Sequence, residues 1–276
     1  MAESLGPRAP RQYHLQTAPG DLARHILLVG DPKRSAMVAE RMTHTRFSAA
    51  NRDYEVITGT HEGLDLSVIC VGMGAGCMEI AVVELCQVVA DPVLIRAGSS
   101  GAIARDIRLG DLIISQGALR LETASLGYVD PGYPAVAHAE CQLALVRAAD
   151  ALGFPYHVGI TATAAGFYGP QGRSVPGFSP STRNIVERLQ QQGVKNLEME
   201  ASCLLTLASL QGLRAGVVCS AYADRSQGTF IDAKTKKLAE RRVIDVGLSA
   251  LHEVAAMEAE RGDRPHWHRG LMRRAD

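Results

Sequence analysis

A glycine-rich loop in the second half of the chain carries polar side chains that suit a planar base. Gln171 and Arg173 stand two residues apart and follow Phe167. A side-chain amide donates and accepts hydrogen bonds, whereas a guanidinium only donates, so the pair matches a heterocycle with carbonyl oxygens and an N–H. Glycine, proline and glutamine are also common in ordinary surface loops. This segment alone leaves a base-reading site and a plain loop both open.

Three arginines are candidates for an anion site: Arg34, Arg52 and Arg96. Arg96 lies in an apolar run that ends at Gly98 and Ser99, and a buried guanidinium is costly unless an anion or a carboxylate pairs with it. Glycine N–H groups, such as that of Gly30, and a serine hydroxyl beside arginines form a combination that holds phosphate. A structural salt bridge is the alternative for Arg96, and ordinary surface charge is the alternative for the other two.

Two carboxylates flank a methionine where an apolar helix is predicted to begin. Glu198, Met199 and Glu200 follow Asn196, which is a plausible helix N-cap. Acidic residues in a first helical turn stabilise the helix through its dipole, and this accounts for either glutamate alone. Two carboxylates at the start of a helix can also accept hydrogen bonds from the hydroxyls of a sugar, so both interpretations stay open.

A second glycine-rich turn, at 72–76, lies between a predicted strand and a predicted helix. Its glycines follow G-x-G-x-G rather than G-x-G-x-x-G, and the next strand carries Arg96 instead of an acidic residue for a ribose diol. A nicotinamide-dependent oxidoreductase is therefore disfavoured, and a tight turn with close helix packing explains the glycines equally well. The phosphate-binding pattern G-x-x-x-x-G-K-[ST] does not occur in the sequence.

The elements that must position these residues alternate between apolar strands and helices. Strands are predicted near 25–29, 66–71, 93–97, 111–115, 156–163 and 214–222, and helices near 32–42, 78–89, 140–152, 198–210 and 233–260. This alternation predicts an α/β fold with one central, largely parallel, buried sheet and helices on both faces. Ligand sites in such folds collect at the carboxyl ends of the strands, where most of these polar residues fall.

Composition indicates one large domain without a nucleic-acid or membrane partner. The 276 residues are 46% apolar, and 29 basic side chains balance 29 acidic ones, so no global field attracts nucleic acid. No run is long and apolar enough to span a bilayer, and the six cysteines stand singly. We predict a cytoplasmic protein with one domain over 13–260, a flexible segment at 1–12 and a tail at 261–276. Two histidines of that tail, His266 and His268, are interpreted as solvated rather than metal-binding.

Taken together, the motifs resemble those of the nucleoside phosphorylase family, and within it the uridine phosphorylases. They occur in the family's order and cover nearly the whole chain apart from its two ends. Each motif alone is weakly specific, whereas the ordered set is strongly so. The matching segments are His14 and residues 30–34, 51–54, 96–101, 167–173, 198–200 and 224–225.

The resemblance implies phosphorolysis of uridine to uracil and ribose 1-phosphate, with phosphate as a co-substrate and no metal or organic cofactor. It also implies a mixed, partly barrel-like sheet. Carried over by matching position, the phosphate-binding residues would be Gly30, Arg34, Arg96, Ser99 and, from a neighbouring subunit, Arg52. The ribose-binding residues would be Glu198, Met199, Glu200 and, across the subunit boundary, His14. The base-binding residues would be Ser100, Gly101, Phe167, Gln171, Arg173 and Arg225. Catalysis would depend on Arg96, Arg173 and Glu200.

The two crossing residues imply a homodimer as the smallest active unit, and related enzymes also form hexamers built from such dimers. Some members of the family bind a cation at the dimer interface beside the bridging arginine, where this chain has Asp53. A structural role for Asp53 is the alternative that we favour, and we predict no metal ligand elsewhere in the site.

One departure from the family pattern concerns the choice of base. Asp224 precedes Arg225 where pyrimidine-specific members more often carry asparagine, and purine-specific members use a nearby aspartate as a proton donor. That acid would fall at Ala223 here, so we predict that Asp224 is a local partner of Arg225. A purine nucleoside phosphorylase is the nearest alternative, followed by a nucleoside hydrolase of the same fold and a non-catalytic nucleoside-binding protein.

Overall fold

The structure of the protein is a computed structural model, and it describes residues 11–268. In this part of the chain one eleven-stranded sheet is flanked by α-helices. The strands are β1 (His25–Val29), β2 (His44–Asn51), β3 (Tyr54–His61), β4 (Leu64–Cys70), β5 (Val93–Ala102), β6 (Leu112–Leu121), β7 (Ala135–Val136), β8 (Tyr156–Ala164), β9 (Asn196–Glu198), β10 (Arg214–Asp224) and β11 (Thr229–Phe230). The helices are α1 (Pro32–Ala39), α2 (Ala75–Leu85), α3 (Ala139–Leu152), α4 (Ile185–Gln191), α5 (Ala201–Leu210) and α6 (Ala233–Arg261).

The sheet is mixed, and part of it closes on itself. Its order is β11-β10-β6-β8-β9-β5-β1-β4-β3-β2, with β7 beside β6. An additional pairing joins β10 to β5, so the five strands β5, β10, β6, β8 and β9 form a barrel-like ring. β1 lies parallel to β4 and β5, whereas β2, β3 and β4 are antiparallel neighbours. This topology confirms the predicted α/β class with a partly barrel-like sheet.

Helices cover both faces of the sheet because its central strands are apolar on both sides. Every residue of β1 is buried. Leu27 belongs to a core cluster with Val243 of α6, whereas the adjacent Leu28 belongs to the opposite cluster with Leu204 of α5. Successive strand residues point to opposite faces, so a strand buried on both faces must be a continuous apolar run. The run at 25–29 meets this requirement and was predicted with the observed bounds.

The first helix begins where the sequence predicts. Asp31 is its N-cap, and the carboxylate accepts a hydrogen bond of 2.9 Å from the N–H of Lys33, with Pro32 in the first turn. α1 ends at Ala39, before the predicted end near residue 42, because the chain then turns into the edge of the sheet. The N–H of Thr43 already donates to the carbonyl of Thr60 at 2.8 Å.

The third predicted strand is longer than the sequence indicates. We expected the glycines and serines at 98–101 to end it, but β5 continues to Ala102. Residues of this segment pair with β10 on one side, and residues 101–102 pair with β9 on the other. Backbone pairing on both sides overrides the weak strand propensity of glycine and serine.

The predicted helix start at 196–200 is wrong. Asn196–Glu198 form the short strand β9, and α5 begins at Ala201. The Asn196 amide is buried and bonded on both sides: its oxygen accepts from the Thr161 hydroxyl at 2.8 Å, and its nitrogen donates to the Ser100 hydroxyl at 2.9 Å. Asn196 therefore connects strands of the ring instead of capping a helix.

A hairpin made of β2 and β3 was not predicted. Most residues of β2 are exposed, so no apolar run marks it in the sequence. Arg52 lies in its turn with a φ of +53°, the left-handed region, and Asp53 follows it. The hairpin therefore presents both residues at the edge of the sheet.

The predicted flexible ends fall largely outside the described residues, at 1–10 and 269–276. Part of the predicted C-terminal tail is described, and it packs against the domain. The N–H of Trp267 donates to the carboxylate of Glu140 at 2.9 Å, and its ring lies 5.7 Å from the Arg147 guanidinium. Across residues 11–268, no helix is both long and apolar enough to cross a membrane.

Candidate active site

A cavity of about 640 Å³ opens at the carboxyl ends of the central strands. Gly30 follows β1, Gly72 lies beyond the end of β4, and β5 contributes Arg96 and Ser99. Most of the residues predicted from the sequence line this one cavity: Gly30, Arg34, Arg96, Ser99, Ser100, Gly101, Phe167, Gln171, Arg173, Glu198, Met199 and Glu200. The predicted residues outside its lining are His14, Arg52, Asp53 and Arg225.

Arg96 is buried and paired with carboxylates. Its Nη2 donates to Glu200, and the same nitrogen lies 3.7 Å from Glu198. Its Nη1 lies 3.4 Å from the sulfur of Cys219. Burial disfavours the charged guanidinium, but the carboxylates more than offset this, so the pKa of Arg96 lies above its ordinary value. The salt bridge left open by the sequence therefore exists, and it is part of the cavity wall.

Arg34 differs from Arg96 because no carboxylate pairs with it among the described residues. Its Nη1 lies 3.4 Å from the carbonyl of Ala97, and its Nη2 lies 3.3 Å from the Tyr222 hydroxyl. Its Nε is buried without a partner. A buried cation with only neutral partners is costly, so this end of the cavity has the charge to attract an anion.

The glycine turn at 72–76 holds Glu200 in place. The N–H of Gly74, which has a φ of +97°, donates to one carboxylate oxygen of Glu200, while Arg96 holds the other. Residues with a Cβ rarely adopt this φ, which explains why position 74 of the turn is a glycine. Glu200 is thereby fixed between the arginine strand β5 and the start of α2.

Glu198 supports the first turn of α5. One carboxylate oxygen accepts from the N–H groups of Glu200 and Ala201, both at 2.8 Å, and the other accepts from the Thr163 hydroxyl at 2.6 Å. Burial and the neighbouring Glu200 raise the pKa of Glu198, whereas Arg96 opposes the rise. Glu198 therefore stabilises the helix start, as one sequence interpretation predicted, and both glutamates line the cavity. Binding of sugar hydroxyls stays a prediction.

Another part of the cavity lining is cationic and aromatic. The Arg173 guanidinium lies 4.2 Å from the centre of the Phe167 ring and 5.3 Å from that of Phe230, and its buried Nε has no partner. Arg225 donates to the side-chain oxygen of Gln171 at 3.0 Å and to its backbone carbonyl at 2.6 Å. Arg225 therefore fixes the orientation of Gln171 from outside the cavity lining.

The guanidinium groups of Arg173 and Arg225 lie near each other without a carboxylate partner among residues 11–268. Burial, and then the charge of Arg173, lower the pKa of Arg225 to about 10. Burial also lowers the pKa of Arg173. Partly buried guanidinium groups without a carboxylate partner can donate hydrogen bonds to the carbonyl oxygens of a ligand or stabilise a developing negative charge.

The predicted pairing of Asp224 with Arg225 is wrong. The Asp224 carboxylate instead accepts from the N–H of Ser226 at 2.9 Å, its hydroxyl at 2.7 Å and the N–H of Gln227 at 3.0 Å. Partial burial raises its pKa, but these hydrogen bonds outweigh that effect and hold the pKa below its ordinary value. Asp224 is thus a turn cap, a role that an aspartate readily takes by accepting from the backbone N–H two residues further on. The cavity is lined at the preceding position by Ala223.

His14 and Arg52 lie together on the surface of the chain. The Nδ1 of His14 lies 2.7 Å from a carboxylate oxygen of Glu84, and the Asn51 amide donates to the carbonyl of His14 at 3.0 Å. The Arg52 guanidinium lies 5.7 Å from the Tyr13 ring centre. Both residues are thus held in place on the same surface, although neither lines the cavity of its own chain.

A family model described as the phosphorylase superfamily matches residues 24–251. The chain belongs to that superfamily. A uridine phosphorylase of Thermococcus kodakarensis is 43% identical over 264 residues, which cover 94% of this chain and 93% of that protein. A guanosine phosphorylase of Halorubrum lacusprofundi is 31% identical over 210 residues, which cover 76% and 82%. The crystal structure of uridine phosphorylase from Vibrio fischeri ES114 is similar in fold, with a TM-score of 0.77, 24% identity, and coverage of 89% of this chain and 98% of that one.

Several cavity residues of this superfamily member were not found from the sequence: Asp31, Pro32, Gly72, Met73, Leu197, Tyr222, Ala223, Phe230, Ile231, Lys236 and Glu240. Tyr222 stands at the end of the predicted strand 214–222, so its position was the available signal. Phe230 belongs to the two-residue strand β11, and Lys236 lies in the first turns of α6. No local sequence pattern marks either residue, because each reaches the cavity only after the chain folds back to pair β11 with β10.

Proposed function

We propose that this chain catalyses the reversible phosphorolysis of uridine to uracil and ribose 1-phosphate. One observation carries the proposal: a single cavity is lined by Arg34 and Arg173, neither of which has a carboxylate partner among residues 11–268, and by Glu200, which Arg96 and Gly74 hold in place. Phosphorolysis needs groups of these kinds, because an anion attacks one side of a sugar while a base departs from the other. The sequence similarity to uridine phosphorylase from Thermococcus kodakarensis agrees with it.

The phosphate would bind between Arg34, Arg96, Gly30 and Ser99. Arg34 supplies a buried positive charge that no carboxylate neutralises among the described residues. Arg96 is already paired with Glu200, so its contribution is mainly donor geometry and the link between phosphate and ribose sites. A glycine N–H and a serine hydroxyl complete the set of donors that phosphate requires.

The ribose would lie against Glu200 and Met199. Glu200 is held by Gly74 and Arg96, which leaves its remaining lone pairs in a fixed direction to accept from the sugar hydroxyls. Glu198 acts through Glu200 by fixing the backbone at the start of α5. Met199 supplies an apolar contact at the same wall.

The base would stack on Phe167 and face Gln171 and Arg173. Ser100 and Gly101 form the adjacent wall, and Arg225 positions Gln171. The donors suit the carbonyl oxygens of uracil, whereas a purine would need a proton donor for its ring nitrogen. Ala223 supplies no such acid, and Asp224 is engaged in its turn. These contacts favour a pyrimidine over a purine.

In the reaction, an oxygen of phosphate would form a bond to C1′ while the C1′–N1 bond breaks. The bonding electron pair leaves with uracil, and positive charge develops on the ribose. The phosphate dianion faces that positive charge, and Arg173 with Gln171 stabilises the departing anion. This chemistry requires no nucleophile from the protein, and we propose that phosphate is a co-substrate rather than a cofactor.

We further propose that the active unit is a dimer in which His14 and Arg52 complete the partner's site. Both are ordered by their own chain but lie outside the lining of its cavity. Tyr13 beside them is 68% exposed, and Met73 at the cavity is 77% exposed, which is unusual for residues of their type. A second subunit placed over this surface would bury both. The interfacial cation at Asp53 stays a prediction.

The cytoplasm is the compartment that we propose. All six cysteines are free, and the pKa of each is held above its ordinary value, chiefly by burial. Thiols without disulfide partners are typical of proteins in a reducing compartment.

The test compares uridine, inosine and guanosine as substrates, each with and without inorganic phosphate, and follows free base and sugar 1-phosphate by chromatography. We expect uracil and ribose 1-phosphate in equal amounts from uridine, and only when phosphate is present. Cleavage without phosphate would identify a hydrolase. Activity on inosine or guanosine alone would overturn the pyrimidine assignment.

A further inference from the structure

A second cluster of potential ligands lies away from the cavity. His61 ends β3, Glu62 follows in the turn to β4, and His252 lies on α6. One ligand atom of each residue lies within 4.8 Å of the other two. β4 leads from this turn towards Gly72 at the cavity, and its seven residues span about 20 Å. The cluster and the cavity therefore occupy opposite ends of the same strand.

One ring nitrogen of His61 points towards one ring nitrogen of His252. Nδ1 of His61 and Nε2 of His252 are 2.9 Å apart, and the ring centres are 5.2 Å apart with planes inclined by 50°. A tetrahedral ion that holds both nitrogens at about 2.0–2.1 Å also keeps the ring centres about 5 Å apart. Both rings therefore need to tilt so that their nitrogens move from 2.9 Å to about 3.3 Å apart, while the ring centres keep nearly the same distance.

The third ligand stands in an unusual backbone conformation. Glu62 has a φ of +47°, and Gly63 after it has a φ of +84°. Two-residue turns of this kind favour asparagine, aspartate or glycine, so Glu62 adopts backbone angles that glutamate disfavours. Non-glycine residues held in this region collect at functional sites. The exposed Glu62 carboxylate faces the half-buried His252 and the buried His61 from the solvent side.

The charged side chains around the cluster are compatible with a bound cation. Arg41 is the nearby basic residue, and its Nη1 lies 2.5 Å from the carboxylate of Asp245 on α6. That ion pair neutralises Arg41, and the Glu62 carboxylate adds a negative charge of its own. A divalent ion would therefore not meet an uncompensated positive charge.

We propose that His61, Glu62 and His252 form a binding site for a divalent transition metal, with Zn²⁺ the best match, that clamps the β3–β4 turn to α6. Two imidazoles and one carboxylate are ligands that Zn²⁺ accepts in tetrahedral geometry, and three protein ligands leave one position for water. The ion would be structural, since the cluster lies about 20 Å along β4 from the cavity. It would join the end of β3 and the β3–β4 turn to α6, whose Lys236 and Glu240 line the cavity.

The test uses full-length protein without a purification tag, treated with a chelator, in a background in which His266→Gln and His268→Gln remove the tail histidines. Co²⁺ is titrated and followed by its visible absorption, and Zn²⁺ is then used as competitor and measured by calorimetry. We expect one ion per chain. A hundredfold excess of Zn²⁺ over its Kd should raise the Tm by about 5 °C.

Two variants decide whether the ion binds at this cluster. His252→Gln and Glu62→Gln should each weaken Zn²⁺ binding by roughly tenfold or more, because each removes one ligand. His157→Gln is the matched control, since His157 also lies beside carboxylates, Asp106 and Asp111, and it should leave binding unchanged. Circular dichroism of the metal-free variants checks that they fold.

Two results would overturn the proposal. Equal Zn²⁺ affinity in the parent and in both ligand variants would place the ion elsewhere. No stoichiometric binding and no change in Tm would mean that His61 and His252 form a hydrogen-bonded pair only.

Discussion

The arginines of the cavity differ in how their charges are compensated. Arg96 is neutralised by Glu200 and by the nearby Glu198, whereas Arg34 and Arg173 have no carboxylate partner among residues 11–268. An unpaired buried guanidinium destabilises the protein without ligand, and a bound anion or a polar base removes that penalty. Arg34 and Arg173 can therefore gain stabilisation from a bound ligand, whereas the charge of Arg96 is already compensated by the protein.

Arg173→Ala should lower kcat/KM for uridine by roughly 10²–10³-fold, because it removes one preorganised donor to the departing base. The Tm of the ligand-free protein should not fall, since the substitution removes a partly buried charge without a carboxylate partner, and this gain offsets the lost contacts with the Phe167 and Phe230 rings. Arg183→Ala, at an exposed position close by in the chain, is the matched control. Steady-state kinetics and thermal melts measure both. A loss below about threefold would argue against contact between Arg173 and the base.

Asp224→Asn should leave the kinetics for uridine within about threefold of the parent, as expected for a substitution that keeps a surface turn intact. Asparagine retains the oxygen that accepts from Ser226 and Gln227. The dependence of kcat/KM on pH should also be unchanged, because the carboxylate is a turn cap and not an acid for the base. A large loss of activity, or a displaced acidic limb of the pH profile, would restore Asp224 as a proton donor.

At the scale of elements, β5 is the strand on which the site depends. It carries Arg96 and Ser99, and it pairs with β1, β9 and β10. Gly98 lies where the Arg96 guanidinium folds back over the strand, and a Cβ there would stand 1.8 Å from its Nη1. The glycine is therefore needed for space, and its φ is not in the left-handed region.

Gly98→Ala should displace the Arg96 guanidinium and raise the KM for phosphate by roughly tenfold or more, the equivalent of losing about 1.4 kcal/mol of binding. Gly76→Ala is the matched control, because a Cβ there meets nothing within 4 Å and the residue lies inside α2. The control should raise the free energy of unfolding by about 0.4–1 kcal/mol. Phosphate kinetics and denaturant unfolding of both variants provide the measurements. An unchanged KM for phosphate in Gly98→Ala would contradict this role of the glycine.

At the scale of the whole molecule, the cavity lining of one chain lacks His14 and Arg52, which the family resemblance assigns to the site across the subunit boundary. His14 and Arg52 lie on a surface with exposed Tyr13, supported by the β2–β3 hairpin and by Glu84 of α2. The oligomer would thus be part of the catalytic machinery, because neither residue lines the cavity of its own chain.

Mixing Arg52→Ala with Arg173→Ala should restore activity if sites are shared between subunits. In a mixed dimer, one site carries both substitutions and the other carries neither. Random exchange makes about half of the dimers mixed, so about a quarter of the parental activity should return. Co-expression or subunit exchange followed by the uridine assay measures this. Activity no higher than the mean of the two variants would contradict a shared site.

The sequence by itself determined which chemistry was available and roughly where it lies. The apolar run at 25–29, the Asp31 cap and the glycines at strand ends are local signals, because propensity and capping involve residues within a few positions. They placed the residues predicted to bind an anion and a base at one edge of a sheet. The order of motifs indicated the family, which the similarity to the phosphorylase superfamily confirms.

Only the tertiary structure decided how these residues pair. Arg96 meets Glu200 across 104 positions of sequence, and Asn196 joins Ser100 across 96, so no local pattern could show which guanidinium is neutralised or that residues 196–198 form a strand. The same holds for His61 and His252, which are 191 positions apart. Charge compensation and strand pairing depend on the distance between side chains after folding, and that distance follows from the closure of the sheet rather than from neighbouring residues.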